Sequence, residues 1–565
     1  MRLASLALSI ASLALAAAAQ DAPRSAADVT EEWRGLARVF DRVIPPEDAT
    51  GADPRTLVLL VDPTASLAAT GFADALAAAL ERHAASLGRV RIGVARVGAD
   101  KPLCAPTDDA SAILSAVRAA LASPDERIQN VYASLRDSAL AIAGRSGERA
   151  LLLATLENGD AEDDLEATVA RLAGTKTRVF VFAGESYLAD SYWSSTYVKP
   201  EKPKETQLTG GDSAVIDVPW SWLFQLSSAN EMTPSGFACY GLNRVAAGSG
   251  GRVWVYQPAN AGAHTCMIWG SCLFCSGDHA PESELYNRAL IAPLAPCVAP
   301  RGEVLNQLGD DPVYKAVLNA WRAALAAGLL RGTPPRAGHA TSVDSNAASR
   351  GALLTSGPPE RNAERAEGTL KDCERIQAVL ASELARADNA KSSPRSIAIA
   401  EYTRVMLEVT KTNLVGYIGW CQEIAPRWLD KNAPAPLAPE IPALSGDLRN
   451  VTIGWTNRSL CHGALPFLEV ELPGSERFAK QLAALDARIK AFEQRYTHTP
   501  YATALHRQGL ATFQQTGTAT SLEKKRPKSR NGPELGPQSG GNTRPPRAGG
   551  GSTGGSGPAT GGGGG

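Results

Sequence analysis

The stretch that decides the fold is Thr56-Leu57-Val58-Leu59-Leu60-Val61-Asp62, an apolar run that ends in an acid. A continuous apolar run of this length is typical of a strand that is buried on both faces of a parallel sheet. A helical pattern follows at 70–87, and a second apolar strand pattern occupies 89–97. The local order is therefore strand, helix, strand, which is the repeating unit of α/β proteins.

The alternation continues further along the chain. Strands are predicted at 103–105, 149–155 and 177–183, and the predicted helices lie at 111–121, 131–143 and 165–173. Because crossovers between parallel strands are right-handed, helices should cover both faces of the sheet. The predicted fold class is α/β, with a doubly wound, mostly parallel, Rossmann-like sheet. A mainly α-helical region and a disordered Gly-rich tail are expected to follow it.

Three motifs in this region resemble the von Willebrand factor type A (VWA) domain. The first is Asp62-Pro63-Thr64-Ala65-Ser66, which is similar to the family's Asp-x-Ser-x-Ser loop. The second is Gln129-Asn130-Val131-Tyr132-Ala133-Ser134-Leu135, which resembles Thr-Asn-x-Tyr-x-Ala-Leu. The third comprises Gly236-Phe237, the helical run 242–246, the pair Gly250-Gly251 and the strand 252–256. The resemblance covers about residues 53–257 and implies a protein-interaction domain of this class.

The resemblance also implies a metal-dependent adhesion site at the strand ends. Asp62, Thr64 and Ser66 carry the oxygen ligands that a hard cation such as Mg²⁺ prefers. The chain departs from the family at Gln129, where a threonine belongs, and at Leu156, which offers no side-chain oxygen. We therefore predict a degenerate site with no cofactor, in which the first loop caps a helix; a bound Mg²⁺ is the alternative.

Two acidic clusters next to these loops suit an alternative interpretation as a metal-dependent hydrolase. They are 160–164 and Asp108-Asp109, and Glu157 lies close to the first of them. Carboxylates at the starts of helices are also favoured by the helix dipole without any catalytic role. The sequence contains no His-Glu-x-x-His pair, phosphate-binding loop or Gly-x-Ser-x-Gly elbow. No catalytic residues are predicted, and a non-enzymatic protein is favoured.

A long aromatic insertion, 184–235, separates the strand at 177–183 from the closing helix. It leaves the carboxyl end of a strand, which is the edge where open α/β sheets bind ligands. Since tryptophan and tyrosine dominate binding hot spots, we predict a partner-binding surface here. The residues proposed for that surface are Tyr192, Trp193, Trp220 and Trp222. A lid whose aromatic residues pack on themselves is the alternative.

Four of the nine cysteines cluster after the insertion. In an oxidising compartment they are expected to form disulfides, and a zinc site or free thiols are the alternatives. The candidates are Cys266, Cys272, Cys275 and Cys297.

The amino terminus predicts export. Residues 1–19 combine Arg2, an uncharged run and the small residues Ala17-Ala18-Ala19 before Gln20, which is typical of a secretory signal peptide. The uncharged run is short for a bilayer, which needs about 20 apolar residues. A composition rich in Ala, Arg and Gly suggests a bacterial protein. The mature chain is therefore expected in the periplasm or outside the cell, with no transmembrane segment.

The charge composition limits the class of binding partner. The 565 residues include 57 basic and 58 acidic side chains, for a formal charge of −1. This balance excludes a globally basic nucleic-acid-binding protein. The tail differs, since residues 517–565 hold seven Lys/Arg against two Asp/Glu and 16 of the 52 glycines. Such a composition predicts disorder.

These patterns predict eight segments. They are a signal peptide (1–19), an N-terminal segment (20–52), a VWA-like domain (53–257), a Cys-containing segment (258–300), a helix (301–330), a linker (331–359), a coiled-coil-like helical hairpin with further helices (360–516) and the tail (517–565). The favoured function is an exported, adhesion-type protein with a protein ligand of unknown identity. An envelope assembly scaffold is the further alternative to the hydrolase.

Overall fold

The computed structural model describes part of the chain. The described residues are 25–31, 35–44, 55–123, 130–156, 164–186, 188, 211–214, 222, 234–256, 286–330, 359–419, 422, 451–454, 476–507 and 516–519.

A seven-stranded sheet forms the centre of the first half of the chain. Its strands are β1 (Thr30–Glu31), β2 (Arg55–Val61), β3 (Val90–Arg96), β4 (Cys104–Thr107), β5 (Glu148–Thr155), β6 (Thr177–Gly184) and β7 (Val253–Tyr256). The strand order is β1-β7-β6-β5-β2-β3-β4. Every pair is parallel except β3 with β4. The predicted mostly parallel α/β sheet is therefore confirmed.

Helices cover both faces of this sheet. They are α1 (Ala26–Val29), α2 (Leu36–Val43), α3 (Ala65–Ala69), α4 (Phe72–Arg82), α5 (Ala110–Leu121), α6 (Val131–Ile142), α7 (Leu165–Gly174) and α8 (Tyr240–Ser249), with a 3₁₀ turn at Ala84–Ser86. Alternate residues of β2 enter different cores: Leu57 and Leu59 face helices α2, α4 and α5, whereas Val58 and Leu60 face α6, α7 and α8. This two-sided burial explains why the strand is continuously apolar.

One strand of this sheet was not predicted from the sequence. The two residues of β1 pair with β7 and form one edge of the sheet. They are polar and half-buried, so they carry no strand-like pattern. Their place is set by neighbouring contacts, since Ala26 donates its backbone N–H to the Pro296 carbonyl at 2.8 Å.

A helical region follows the sheet. Its elements are α9 (Arg288–Ile291), α10 (Arg301–Asp310), α11 (Pro312–Ala326), α12 (Pro359–Arg386), α13 (Pro394–Gly419), α14 (Glu476–Arg495) and α15 (Pro500–Arg507), with 3₁₀ turns at Ala292–Leu294 and Asn389–Lys391. Helices α11 to α15 share one apolar core, and we call them the helical unit. The seven strands with α1 to α8 are the sheet unit.

Helix capping explains where the predicted hairpin turns. Ser393 precedes Pro394 and accepts the Ser396 backbone N–H at 3.0 Å, as expected of an N-cap residue. One oxygen of Asp311 accepts the backbone N–H groups of Val313 and Tyr314, which caps α11. Its other oxygen accepts the Ser393 N–H at 3.1 Å, so a single carboxylate fixes the starts of α11 and α13.

A second, two-stranded sheet pairs β8 (Val451–Gly454) with β9 (Thr516–Ala519) in antiparallel fashion. Strand β9 crosses residue 517, where the sequence predicted that the tail begins. The rest of the tail, the signal peptide and the linker 331–358 lie outside the described residues, and their assignments stay predictions.

Candidate functional site

The candidate site lies where the connections from two central strands diverge. Strand β2 pairs with β3 on one side and with β5 on the other. After β2 the chain continues to β3 and β4, whereas after β5 it continues to β6 and β7. In open α/β sheets this divergence leaves a crevice at the carboxyl ends of the strands, which is the usual ligand site. Asp62 and Thr155 lie at this point.

The Asp62 carboxylate is buried, with 1% of the residue exposed. Its Oδ2 accepts a hydrogen bond from the Thr155 hydroxyl at 2.5 Å, and its backbone N–H donates to the Ala154 carbonyl at 2.9 Å. A short hydrogen bond to an ionised acceptor is among the stronger kinds in proteins. Asp62 is therefore held by the neighbouring strand as well as by its own loop.

The two hydroxyl groups of the first loop serve the loop itself. Thr64 is the N-cap of α3, and its Oγ1 accepts the Leu67 backbone N–H at 3.3 Å. Ser66 is exposed and donates its hydroxyl to Thr64 Oγ1 at 3.1 Å. These contacts match the predicted helix-capping role of the loop.

The described residues supply only part of the oxygen ligands of a Mg²⁺ site. Mg²⁺ prefers near-octahedral oxygen ligands. Here one carboxylate is present, and its Oδ2 and the Thr64 hydroxyl are already engaged in hydrogen bonds. Among the residues that the structure describes, no group of three or more His, Cys, Asp or Glu side chains is placed to hold a metal. Gln129, Glu157 and Asp160 lie outside the described ranges.

The second motif organises the start of α6. Asn130 caps this helix by accepting the Ala133 backbone N–H at 3.0 Å. The Ser134 hydroxyl donates to the Asn130 carbonyl at 2.9 Å and accepts the Gly98 N–H at 2.9 Å. Ser134 thereby joins α6 to the loop after β3, a role that the sequence analysis did not assign.

Two residues of the acidic clusters, Asp109 and Asp164, lie at the starts of helices. Asp109 caps α5 by accepting the backbone N–H groups of Ser111 at 2.9 Å and Ala112 at 3.2 Å. Asp164 precedes α7 and pairs with Arg136 at 2.8 Å. Both arrangements are those expected of carboxylates at helix starts.

The base of the aromatic insertion is closed by hydrogen bonds. Ser186 donates its backbone N–H to the Phe237 carbonyl, and Ser235 donates to the Ser186 carbonyl, both at 2.8 Å. The Glu185 carboxylate accepts the Gly236 N–H at 2.7 Å. The insertion therefore leaves and rejoins the sheet at one point, next to the carboxyl end of β6.

The structure corrects the prediction for Trp222. This residue is 1% exposed and lies in the apolar core of the helical unit, as does Leu188 from the same insertion. An aromatic side chain in this core cannot present a contact surface. Tyr192, Trp193 and Trp220 lie outside the described residues, so the binding-surface prediction for them stays untested.

The structure also corrects the prediction for Cys297. Cys104, Cys239, Cys297 and Cys373 are thiols and not disulfides. Cys297 lies 3.5 Å from Gln307 Oε1, and burial raises the pKa of its thiol. Its backbone is fixed in a bridge with Ser25, in a setting that the cysteine spacing did not reveal. Cys266, Cys272 and Cys275 lie outside the described residues.

Comparison with known proteins adds little to this geometry. No protein-family model and no curated protein matches the chain. Among solved structures the chain is similar to "conserved hypothetical protein BatB from Bacteroides thetaiotaomicron". The identity is 12%, the match covers 38% of this chain and 97% of that chain, and the TM-score is 0.22. A likeness of this size carries no argument about function.

Within the described ranges, no helix is long and apolar enough to cross a membrane.

Proposed function

We propose that this chain is an exported, non-enzymatic protein-interaction protein built on a VWA-like domain, which binds a protein partner at the carboxyl edge of its sheet. The observation that carries the proposal is the position of the Asp62–Ser66 loop at the divergence of β2 and β5. The three motifs that resemble the VWA family support the type of domain. The signal-like residues 1–19 support export to the periplasm or the cell exterior.

The loops around this edge support a contact surface. Right-handed crossovers bring the connections after parallel strands to the same edge of the sheet. The Asp62–Ser66 loop and the base of the insertion at the end of β6 therefore lie at one edge, and the exposed Ser66 side chain is part of its surface. A protein ligand contacts several loops at once, whereas a small molecule occupies a single concave pocket.

A matched pair of variants tests the proposal. Ser66 and Ser111 are both exposed serines at the second position of a helix. Because β4 runs antiparallel to β3, α5 begins at the opposite edge of the sheet, so Ser111 serves as the control. A partner is first identified by cross-linking in the native envelope fraction. Ser66→Arg should abolish its binding to the purified chain, and Ser111→Arg should leave the affinity unchanged; equal affinities for the two variants would contradict the proposed surface.

We further propose that this binding needs no metal, since Gln129 and Leu156 depart from the ligand pattern of the family's metal site. Calorimetric titration of the full chain with Mg²⁺ or Mn²⁺ checks this point. Saturable one-to-one binding at micromolar metal would be evidence for an intact adhesion site.

A further inference from the structure

A buried ion pair joins the two units of the protein. Arg395 is the second residue of α13, and its guanidinium faces Asp212, which belongs to the insertion. The Nη2–Oδ1 and Nη1–Oδ2 distances are 2.8 and 3.1 Å, so the two groups meet as a bidentate fork. The side chains of Arg395 and Asp212 are 9% and 1% exposed. Arg395 Nη1 also donates to the Leu294 carbonyl at 2.9 Å.

The segment that carries Asp212 is also bound to the sheet unit. The Gly211 carbonyl accepts the backbone N–H of Tyr240, the first residue of α8, at 3.0 Å. The first N–H groups of a helix have no acceptor within the helix. The side chain of the N-cap residue Cys239 does not accept a hydrogen bond from the start of α8. The Gly211 carbonyl therefore supplies an acceptor from outside the helix. Ala214, two residues after Asp212, is packed in the core between the sheet and α8.

The four-residue segment 211–214 therefore makes three separate contacts. Gly211 holds the start of α8, Asp212 holds the start of α13, and Ala214 anchors the segment in the sheet core. Gly211 and Asp212 are adjacent in the chain. A displacement of this segment therefore changes the contacts at the starts of both α8 and α13.

The chemistry of the pair favours one fixed arrangement. A buried ion pair contributes little net stability compared with apolar residues, because both charges lose their hydration. Removing one partner is strongly unfavourable, since the other charge then remains buried and uncompensated. A bidentate arginine–carboxylate contact also fixes orientation as well as distance. The pair is therefore better suited to setting how the two units fit together than to stabilising either one.

We propose that Arg395 and Asp212 form a joint through which the starts of α8 and α13 are coupled, so that loosening one helix start loosens the other. The joint is a conformational device within the chain. It stands apart from the proposed binding function, because it needs no ligand at the strand ends.

Hydrogen exchange of the full chain, followed by mass spectrometry, tests the joint. Arg395→Met removes the charge from the helical unit. In the sheet unit, amide exchange within 240–246 should then become roughly tenfold faster or more, since local openings set exchange rates. Arg495→Met is the matched control: Arg495 pairs with Glu401 inside the helical unit and is 60% exposed. It should leave exchange at 240–246 unchanged.

The double variant separates coupling from general damage. Adding Asp212→Asn to Arg395→Met also removes the buried carboxylate charge that faced Arg395, so exchange at 240–246 should return toward the wild-type rate. If Arg395→Met does not fold, Arg395→Lys keeps the charge but loses the fork and should show the same pattern more weakly. The proposal is overturned if exchange rises only within 394–419, or if the Arg495 control has the same effect at 240–246.

Discussion

The buried Asp62 carboxylate depends on a hydroxyl from the neighbouring strand. Thr155→Val keeps the shape of the side chain and removes the donor of the 2.5 Å hydrogen bond. We expect the free energy of unfolding to fall by about 1–3 kcal/mol, because a buried acceptor loses its partner. Urea denaturation measures the change.

A second threonine provides the control for that experiment. Thr410 is equally buried, but its hydroxyl donates to the Met406 carbonyl one turn earlier in its own helix. Such back-bonding adds little to stability. Thr410→Val should therefore lower the free energy of unfolding less than Thr155→Val does. Equal losses would show that the hydrogen bond to Asp62 stabilises the fold no more than the bond within the helix.

We expect the Glu148 carboxylate to contribute to the loss of stability in acid. Burial raises the pKa of this carboxyl, but hydrogen bonds from Arg55 and Arg178 outweigh it, and the pKa lies below the ordinary 4.5. A lowered pKa in the folded state means that the ionised group stabilises the fold above its unfolded pKa. This contribution is lost as the pH falls through the folded pKa.

Glu148→Gln tests this dependence. The difference in free energy of unfolding between wild type and variant should be largest near neutral pH and should shrink as the pH falls below the ordinary pKa of 4.5. Urea unfolding at a series of pH values gives the difference directly. A difference that stays constant over the whole range would assign the acid sensitivity to other groups.

Single residues were predictable where their role is local. Asp62 and Thr64 follow an apolar strand, so their place at its end could be read from the sequence. Thr155 was missed because its partner is set by the pairing of β2 with β5, which no local pattern reveals. Trp222 was misassigned for a similar reason: an aromatic residue in a long connection does not show which core receives it.

At the level of elements, one glycine limits how closely helix α8 and strand β6 can approach. A Cβ atom added at Gly251 would lie 1.7 Å from the Val179 carbonyl oxygen, and this backbone atom cannot move aside. Gly251→Ala should lower the free energy of unfolding by about 1–3 kcal/mol or more. Gly174, at the end of α7, has nothing within 4 Å of the added atom. Thermal unfolding of Gly174→Ala should match the wild type, and a loss there as large as at Gly251 would refute the steric explanation.

Elements were predictable where burial leaves a pattern. The central strands are apolar throughout because both faces are covered, and the helices carry stripes at helical spacing. Strands β2, β3, β5 and β6 begin and end within one residue of their predicted bounds. Strand β1 could not be found, since two polar residues at an edge satisfy neither pattern.

At the scale of the whole molecule, the two units share side chains across their boundary. Trp222 belongs to the insertion that follows β6, and its side chain is buried in the core of the helical unit. Trp222→Ala should lower the free energy of unfolding by about 3–5 kcal/mol, as is typical of a large buried aromatic residue. Leu325, on the surface of α11, is 48% exposed and is the control. Guanidinium denaturation of Leu325→Ala should stay within about 0.5 kcal/mol of wild type; a small effect at Trp222 would place its ring outside the core.

The pairing of β1 with β7 has a consequence for the order of assembly. The first strand in the sequence pairs with the last strand of its sheet, so among the strand pairs of this sheet its contacts are the most distant along the chain. Loop-closure entropy delays such contacts relative to local ones. During synthesis β1 emerges first, yet it has no partner until residues 253–254 follow. We therefore expect the amino-terminal segment to dock last and to cover the sheet edge only after the remaining strands have been assembled.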